Sequence, residues 1–191
     1  MTPAAYRELF ERIVASGEPY GPPGDAYGAD YTKLNLARTR RLEKTFRPLP
    51  EVQAIMADAA QQNWLVITEP WCGDSAQNLP VISALAAMAP AITVQLVLRD
   101  TNLPLIDQYL TNGARSIPKL VSFDAATDSV LFQWGPRPLA AHDLVMSEKL
   151  KPEAERLTKD ALAEQLHRWY NTNAGHDTQL ELGTLVGKRS V

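Results

Sequence analysis

The chain contains a single cysteine, and its neighbours indicate a reactive thiol. Cys72 lies in the segment Glu69-Pro70-Trp71-Cys72-Gly73-Asp74-Ser75, directly after an apolar run at 64–67. This pattern predicts a strand that ends in a turn and then opens a helix, with the sulfur at the helix N-terminus. Unpaired backbone N–H groups and the positive end of the helix dipole favour a thiolate there. We therefore expect Cys72 to be an accessible thiol at or near the surface.

Two neighbours of Cys72 limit this chemistry. A carboxylate in the first helical turn, Asp74, disfavours a nearby thiolate, so we expect only moderate activation. Ser75 occupies the position of the second cysteine in a C-x-x-C motif, so the chain cannot close a disulfide within itself. Ser75 either donates a hydrogen bond to the sulfur or is an ordinary first-turn residue. Cys72 is then restricted to a mixed disulfide with a partner or glutathione, or to a sulfenic acid, and an outside thiol must release it.

Composition and charge exclude several classes of function. The chain has 191 residues, of which 45% are hydrophobic, and a net charge of −3. One domain with an added helical segment fits this length, and the acidic balance disfavours a nucleic-acid partner. The sequence has no apolar run of signal-peptide or membrane-spanning length, and its lone cysteine suits a reducing compartment. We expect a soluble, cytoplasmic protein with no membrane partner. No metal site is expected, because His142, His167 and His176 lack ligand spacing.

Hydrophobic periodicity predicts helices and strands in a definite order. A strand–helix–strand unit should be parallel, and two closely spaced later strands should form an antiparallel hairpin. The result is a mixed four-stranded sheet with helices on both faces. Thr178 and Glu181 fit a capping box for a short helix in the tail, which otherwise would be frayed. The predicted helices are 4–16, 31–46, 50–62, 75–88, 103–111 and about 148–170. In the last of these helices, the residues predicted to face inward are Leu150, Leu157, Leu162, Leu166 and Trp169. The predicted strands are 64–68, 92–98, 119–124 and 129–134.

This order of elements, with four local motifs in sequence, resembles the thioredoxin fold. The motifs are Trp71-Cys72-Gly73 after the first strand, Pro80 in the following helix, Ser116-Ile117-Pro118 before the third strand, and Gly135 after the hairpin. The resemblance implies an α/β thioredoxin-like fold, a mixed four-stranded sheet flanked by helices with an N-terminal helical extension. It divides the chain into the extension at 1–49, the thioredoxin-like domain at 50–170, and a tail or short docked helix at 171–191.

The resemblance also implies roles for individual residues. Cys72 would be the nucleophile, and a cis peptide bond at Pro118 would hold Ile117 beside it with free backbone groups for an extended peptide. Two positions depart from the family pattern, because Ser75 replaces the second cysteine and Val66 replaces a buried aspartate that assists proton transfer. The implied substrate-binding residues are Trp71, Gly73, Ile117, Pro118 and Gly135, and the implied modulators are Asp74, Ser75 and Arg137. Arg137 would be a partner for Asp74 or for an anionic ligand, or else a simple surface arginine.

Two functions compete at this point. The first is a thioredoxin-like thiol–disulfide oxidoreductase that works through Cys72 alone, with an expected role in cell redox homeostasis. It would have no bound cofactor, its partners would be protein or low-molecular-weight thiols and disulfides, and glutathione could serve as co-substrate. The second is a non-catalytic thioredoxin-fold module that binds a peptide or protein around Ile117 and Pro118. Cys72-Gly73-Asp74-Ser75 also resembles the motif of cluster-binding monothiol glutaredoxins, but the Gly-Gly and acidic pair that those carry is replaced here by Trp134-Gly135-Pro136-Arg137.

A basic run at 31–47 carries six lysine and arginine side chains against Glu43 alone. Most such runs are solvated helix faces. The alternatives are a docking face for an acidic partner, or a lid over the thiol.

Overall fold

The described residues, 1–23 and 28–188 of a computed structural model, form a sheet with helices packed around it. The prediction of a mixed four-stranded sheet flanked by helices is confirmed. In chain order the elements are α1 (Pro3–Ser16), α2 (Ala29–Thr45), α3 (Pro50–Ala57), β1 (Gln62–Thr68), α4 (Gly73–Ala87), β2 (Ile92–Leu98), α5 (Leu103–Ile106), β3 (Lys119–Asp124), β4 (Val130–Trp134), α6 (Leu139–Leu150), a 3₁₀ turn (Glu153–Glu155), α7 (Lys159–Asn173) and α8 (His176–Gly187).

The sheet has the strand order β2-β1-β3-β4. Strands β1 and β2 are parallel, as the intervening α4 crossover requires, and β3 is antiparallel to both β1 and β4. The central strand β1 therefore ends at the same edge of the sheet at which β3 begins. Cys72 follows the first of these strands and Pro118 precedes the second, so the topology brings the two together.

Side-chain alternation along β1 separates two apolar clusters on opposite faces of the sheet. Trp64 and Val66 point into the main core, which α1, α2, α3, α4 and α8 complete. Leu65 and Ile67 point the other way, toward a smaller cluster that contains Ile106 and Cys72. The cysteine therefore belongs to the less heavily covered face of the sheet.

Helix α2 packs on α4, and two of its polar side chains donate hydrogen bonds to buried backbone carbonyls. Pro80 lies inside α4 and has no N–H, so the carbonyl of Ala76, four residues earlier, has no helical partner. The buried hydroxyl of Thr39 donates a hydrogen bond to that carbonyl at 3.3 Å. Asn35, also fully buried on α2, donates to the carbonyl of Pro70 at 3.3 Å. Helix α2 thus supports the cysteine-bearing turn and the kink-prone part of α4.

The prediction of one long helix at 148–170 is wrong. Helix α6 ends at Leu150, a 3₁₀ turn follows, and α7 begins at Lys159. Pro152 explains the break, because it cannot donate a hydrogen bond within a helix and restricts the residue before it. Leu150 and Leu157, which were predicted to face inward, are 80% and 42% exposed, whereas Leu166 is buried.

Two predicted helices are shorter in the structure, and the predicted capping box is wrong. Helix α3 ends at Ala57 rather than 62, and α5 ends at Ile106 rather than 111. Helix α8 begins at His176, two residues before Thr178, and both predicted capping side chains have other partners. Thr178 donates to Asn78 at 2.8 Å, and Glu181 accepts from the Trp134 indole at 2.7 Å. Tertiary hydrogen bonds therefore replace the local cap.

We predict that Gly175→Ala destabilises the fold more than the same change at Gly113. Both glycines have positive φ, +84° and +75°, which costs an alanine about 1 kcal/mol or more. A Cβ at 175 would also lie 2.6 Å from Val81 Cγ2, whereas nothing lies within 4 Å at 113. We expect a loss of about 3 kcal/mol at 175 against about 1 kcal/mol at 113, measured by urea unfolding. Equal losses would show that the contact between the α7–α8 turn and α4 is not tightly packed.

Candidate functional site

Cys72 is the N-cap residue of α4 and contacts the loop that precedes β3. Its Sγ accepts a hydrogen bond from the Ser75 backbone N–H at 3.4 Å, and its thiol donates to the Ile117 carbonyl at 3.2 Å. The Ile117–Pro118 peptide bond is cis, as predicted. The expectation that the Ile117 carbonyl is unpaired is wrong, because the thiol itself occupies it. The Ile117 N–H, by contrast, donates to no residue that the structure describes.

The expected exposure of Cys72 is wrong. The residue is 8% exposed and packs against Ile67, Trp71 and Ile117. The turn residues that suggested a surface position are themselves covered by neighbouring elements. Trp71 is also buried, its indole N–H donates to Asp100 at 3.0 Å, and the guanidinium of Arg99 lies 4.6 Å from its ring centre. Trp71 therefore forms a wall beside the sulfur.

Burial, followed by the charge of the Asp74 carboxylate, raises the pKa of the Cys72 thiol to about 11. Hydrogen bonding from the backbone N–H groups of Asp74 and Ser75 at the helix N-terminus opposes this shift without cancelling it. The expected moderate activation is therefore also wrong. At neutral pH the thiol is protonated, and its proton is directed to the Ile117 carbonyl.

Asp74 is held by two side chains from distant parts of the chain. The guanidinium of Arg137, after β4, forms an ion pair with one carboxylate oxygen, and the Tyr170 hydroxyl on α7 donates to the other at 2.7 Å. The predicted partnership of Arg137 with Asp74 is thus present. Burial, followed by the charge of Asp74, raises the pKa of Tyr170, so its hydroxyl remains a donor.

The same network continues into α8 through Asn78. Its amide nitrogen donates to the Tyr170 hydroxyl at 3.0 Å and to the backbone carbonyl of Asp74 at 2.9 Å. Its amide oxygen accepts from Thr178. Helices α4, α7 and α8 are therefore joined by a buried chain of hydrogen bonds that begins two residues from the cysteine.

Gly73 lies beneath two aromatic side chains that are not among the predicted site residues. A Cβ at this position would lie 2.7 Å from the Tyr31 hydroxyl oxygen and 3.0 Å from His167 Cε1. Only glycine fits between α2 and α7 here without displacement. The spacing of the histidines gave no signal for His167, because helix packing alone places it at the site.

His167 is neutral at physiological pH. Burial lowers the pKa of its imidazole to about 4, and the nearby Arg38, Arg41 and Arg137 act in the same direction. Gln77 lies 3.3 Å from His167 Nδ1 and orients the ring. The basic run at 31–47 thus contributes Arg38 and Arg41 to the environment of this histidine, and they are not merely solvated charges.

These residues surround an open cleft with a volume of about 460 Å³, which we term the thiol cleft. Its walls come from the turn at 71–74, the loop at 114–117, Pro136 and Arg137, and one face of α7. Ser75 lies behind it, 1% exposed, and its hydroxyl has no hydrogen-bond partner among the described residues. Gly135 packs against Pro118, where a Cβ would approach the Pro118 carbonyl oxygen to 2.2 Å. The predicted site residues lining the cleft are Trp71, Cys72, Gly73, Asp74, Ile117 and Arg137.

A second buried carboxylate, that of Glu69, lies three residues before Cys72 in the chain. Glu69 accepts hydrogen bonds from the Tyr20 hydroxyl at 3.2 Å and from the Asp100 N–H at 2.8 Å, and burial raises its pKa. Val66 is fully buried in the main core.

Across the described residues, no three His, Cys, Asp or Glu side chains form a metal-binding group. Within that same part of the chain, no helix has the length and apolar character needed to cross a bilayer.

We predict that Asp74→Asn makes Cys72 more reactive. The change removes the nearby negative charge that raises the thiol pKa and leaves the Arg137 cation facing the site. Iodoacetamide alkylation near pH 8, followed by mass spectrometry, should be about fivefold to tenfold faster than in the unmodified chain. Asp128→Asn, which changes an exposed carboxylate in the β3–β4 turn at the opposite end of β3 from the cleft, serves as the control and should change the rate little. An unchanged or slower rate in Asp74→Asn would contradict the assigned electrostatics.

Comparison with known proteins gives the chain a family. A family model described as Thioredoxin matches residues 21–155, which is more than half of the chain and includes α2. No curated protein matches it. The fold is similar to that of an HIV epitope scaffold (15% identity, TM-score 0.56, covering 92% of this chain and 96% of that one). It is also similar to that of a Pseudomonas aeruginosa protein of unknown function (16% identity, TM-score 0.57, covering 92% and 95%). At these identities the solved structures support the fold alone, and the family match shows that the chain belongs to the Thioredoxin family.

Proposed function

We propose that this protein is a monothiol thiol–disulfide oxidoreductase that works through Cys72. One observation carries the proposal: the sulfur lies 3.2 Å from the Ile117 carbonyl and lines the thiol cleft. The N–H of Ile117 remains available to an extended peptide, which could add as a short strand beside this loop. A ligand held there would bring its own sulfur to Cys72.

The proposed reaction has two balanced steps. The Cys72 thiol loses its proton to solvent, and the thiolate attacks a partner disulfide, which forms a mixed disulfide and releases the other partner sulfur as a thiolate. An outside thiol, for which glutathione is the simplest candidate, then attacks the mixed disulfide. This second step regenerates the Cys72 thiolate and leaves the partner sulfur bonded to the outside thiol. A reducing compartment such as the cytoplasm supplies the thiols that this cycle needs.

The raised thiol pKa makes this exchange slow at neutral pH. With a pKa of about 11, against roughly 8.5 for an ordinary thiol, the thiolate fraction falls about 300-fold. A more basic thiolate is the stronger nucleophile, which recovers about 15-fold. The remaining deficit of about 20-fold must be offset by binding and positioning of the partner in the cleft. The proposed enzyme therefore depends on its ligand more than on an activated sulfur.

The same raised pKa favours the alternative function, a thioredoxin-fold binding module without turnover. In that case the thiol acts as a fixed donor to the Ile117 carbonyl, and the cleft binds a peptide non-covalently. The two functions differ in what Cys72→Ser does. A binding module retains its peptide affinity in this variant, whereas an oxidoreductase loses its reaction entirely.

The first test is the reaction of the protein with glutathione disulfide across a range of pH. We expect a glutathione adduct on Cys72, seen by mass spectrometry and removed by dithiothreitol, whose rate rises about tenfold per pH unit. Because the thiol pKa is about 11, no plateau should appear below about pH 10. Cys72→Ser should form no adduct. Failure of the unmodified chain to react even at alkaline pH would leave the binding module as the better account.

A second test uses Ser75→Cys. Ser75 is buried behind the sulfur and its hydroxyl has no partner, so a thiol there replaces an unsatisfied group at a position whose N–H already contacts Cys72 Sγ. We expect a 72–75 disulfide on mild oxidation, measured by loss of free thiols, together with a gain in insulin-disulfide reduction. Ser83→Cys is the matched control, because it places the added thiol about 16 Å from Cys72 along the same helix. Two free thiols in oxidised Ser75→Cys would show that the turn cannot support a dithiol.

A further inference from the structure

The thiol cleft continues into a second depression, which we term the side lobe. It has a volume of about 280 Å³ and shares Ala114, Ser116, Pro136 and Arg137 with the thiol cleft. Its other walls are the turn at Thr111 and Asn112 and the α6 side chains His142, Val145, Met146 and Lys149. A ligand seated at Cys72 can therefore extend across Pro136 into this lobe.

The side lobe has a cationic lining, in which Arg137 is already paired with Asp74 of the adjoining thiol cleft and Lys149 is the further cation. Among the described residues that line it, none is Asp or Glu. Lys149 stands exposed at its rim, and Arg137 contributes a guanidinium whose buried Nε has no hydrogen-bond partner among the described residues. Val145 and Met146 add an apolar wall that lowers the local dielectric constant and so strengthens the attraction between these cations and an anion.

A buried lysine lies directly behind the lobe. Lys119 is 5% exposed, and its ammonium group donates to the Thr111 hydroxyl at 3.2 Å. It forms no ion pair with any residue in the described ranges. Burying a charge without a partner costs free energy, so a negatively charged group that binds near Lys119 would be stabilised.

We propose that the side lobe binds an acidic side chain of an extended, cysteine-containing peptide whose sulfur is held at Cys72. The proposal rests on the function proposed above and names its substrate class. Charge complementarity supplies the argument: Lys149 lines the lobe, Lys119 acts through Thr111, and neither has an acidic partner among the described residues, whereas Arg137 is already paired with Asp74. The peptide strand would pair with the free N–H of Ile117, and alternate side chains of a strand point to the same side. An acid two residues from the cysteine thus reaches the lobe while the sulfur reaches Cys72.

The test uses short peptides whose cysteine is activated as a pyridyl disulfide. Cys72 attacks the peptide sulfur, the disulfide breaks, and neutral thiopyridone leaves with a proton, so release of thiopyridone reports the exchange. The peptides carry Glu, Gln or Lys two residues before or two residues after the cysteine. In one of the two series, substituted before or after the cysteine, we expect the Glu peptide to react about fivefold faster than the Gln peptide, and the Lys peptide to react slowest. This preference for Glu over Gln should weaken at high salt.

Two variants locate the preference. Lys149→Gln should reduce the Glu-over-Gln ratio by about threefold, whereas Lys44→Gln, an exposed lysine near the end of α2, should leave it unchanged. Lys119→Met removes the buried cation and should reduce the ratio as well.

The outcomes separate this inference from the function on which it rests. Equal rates for Glu, Gln and Lys peptides would overturn the lobe assignment and leave the exchange reaction standing. If no peptide reacts, the exchange reaction fails. The lobe is then tested by non-covalent binding: peptides in which serine replaces the cysteine are labelled with fluorescein, and their affinity for the Cys72→Ser protein is measured by fluorescence polarisation. Tighter binding of the Glu peptide would support the lobe, and equal dissociation constants would overturn it.

Discussion

The site depends on one buried carboxylate and the two side chains that share it. Asp74 takes an ion pair from Arg137 and a hydrogen bond from Tyr170, so three segments far apart in sequence converge two residues from the cysteine. Loss of the Arg137 contact leaves a largely buried carboxylate without its cation, and loss of the Tyr170 contact leaves a buried O–H donor without its acceptor. Both changes are costly in a low-dielectric interior. The position of α7, and with it one wall of the thiol cleft, follows from this arrangement.

That arrangement conflicts with thiol activation. The carboxylate that organises the cleft also adds to the burial penalty on the Cys72 thiolate, so the structure keeps a well-positioned sulfur in its protonated form. A helix N-terminus alone would have the opposite effect. The balance suits a protein whose chemistry follows ligand binding, because a bound partner displaces water and can reorganise the charges around the sulfur.

The sequence was sufficient for the features that local chemistry decides. Alternating apolar residues and turn signals located the strands, and the Ile117-Pro118 and Trp71-Cys72-Gly73 motifs located the two sides of the cleft. Features decided by tertiary packing could not be predicted. Nothing local to His167 or Tyr31 indicates that both cover Gly73, and the turn-like neighbours of Cys72 concealed its burial. Thr178 had the pattern of a helix cap, yet its hydroxyl is used by Asn78 on another helix.

The close cover over Gly73 has a consequence for how this turn can change. Tyr31 on α2 and His167 on α7 both approach within about 3 Å of where a side chain at 73 would begin. Enlargement at this position therefore requires Tyr31 and His167, on two separate helices, to move aside or to be replaced by smaller groups. Substitutions at 31, 73 and 167 should be coupled in related chains, so the residue after the cysteine is set by helices that lie outside the turn itself.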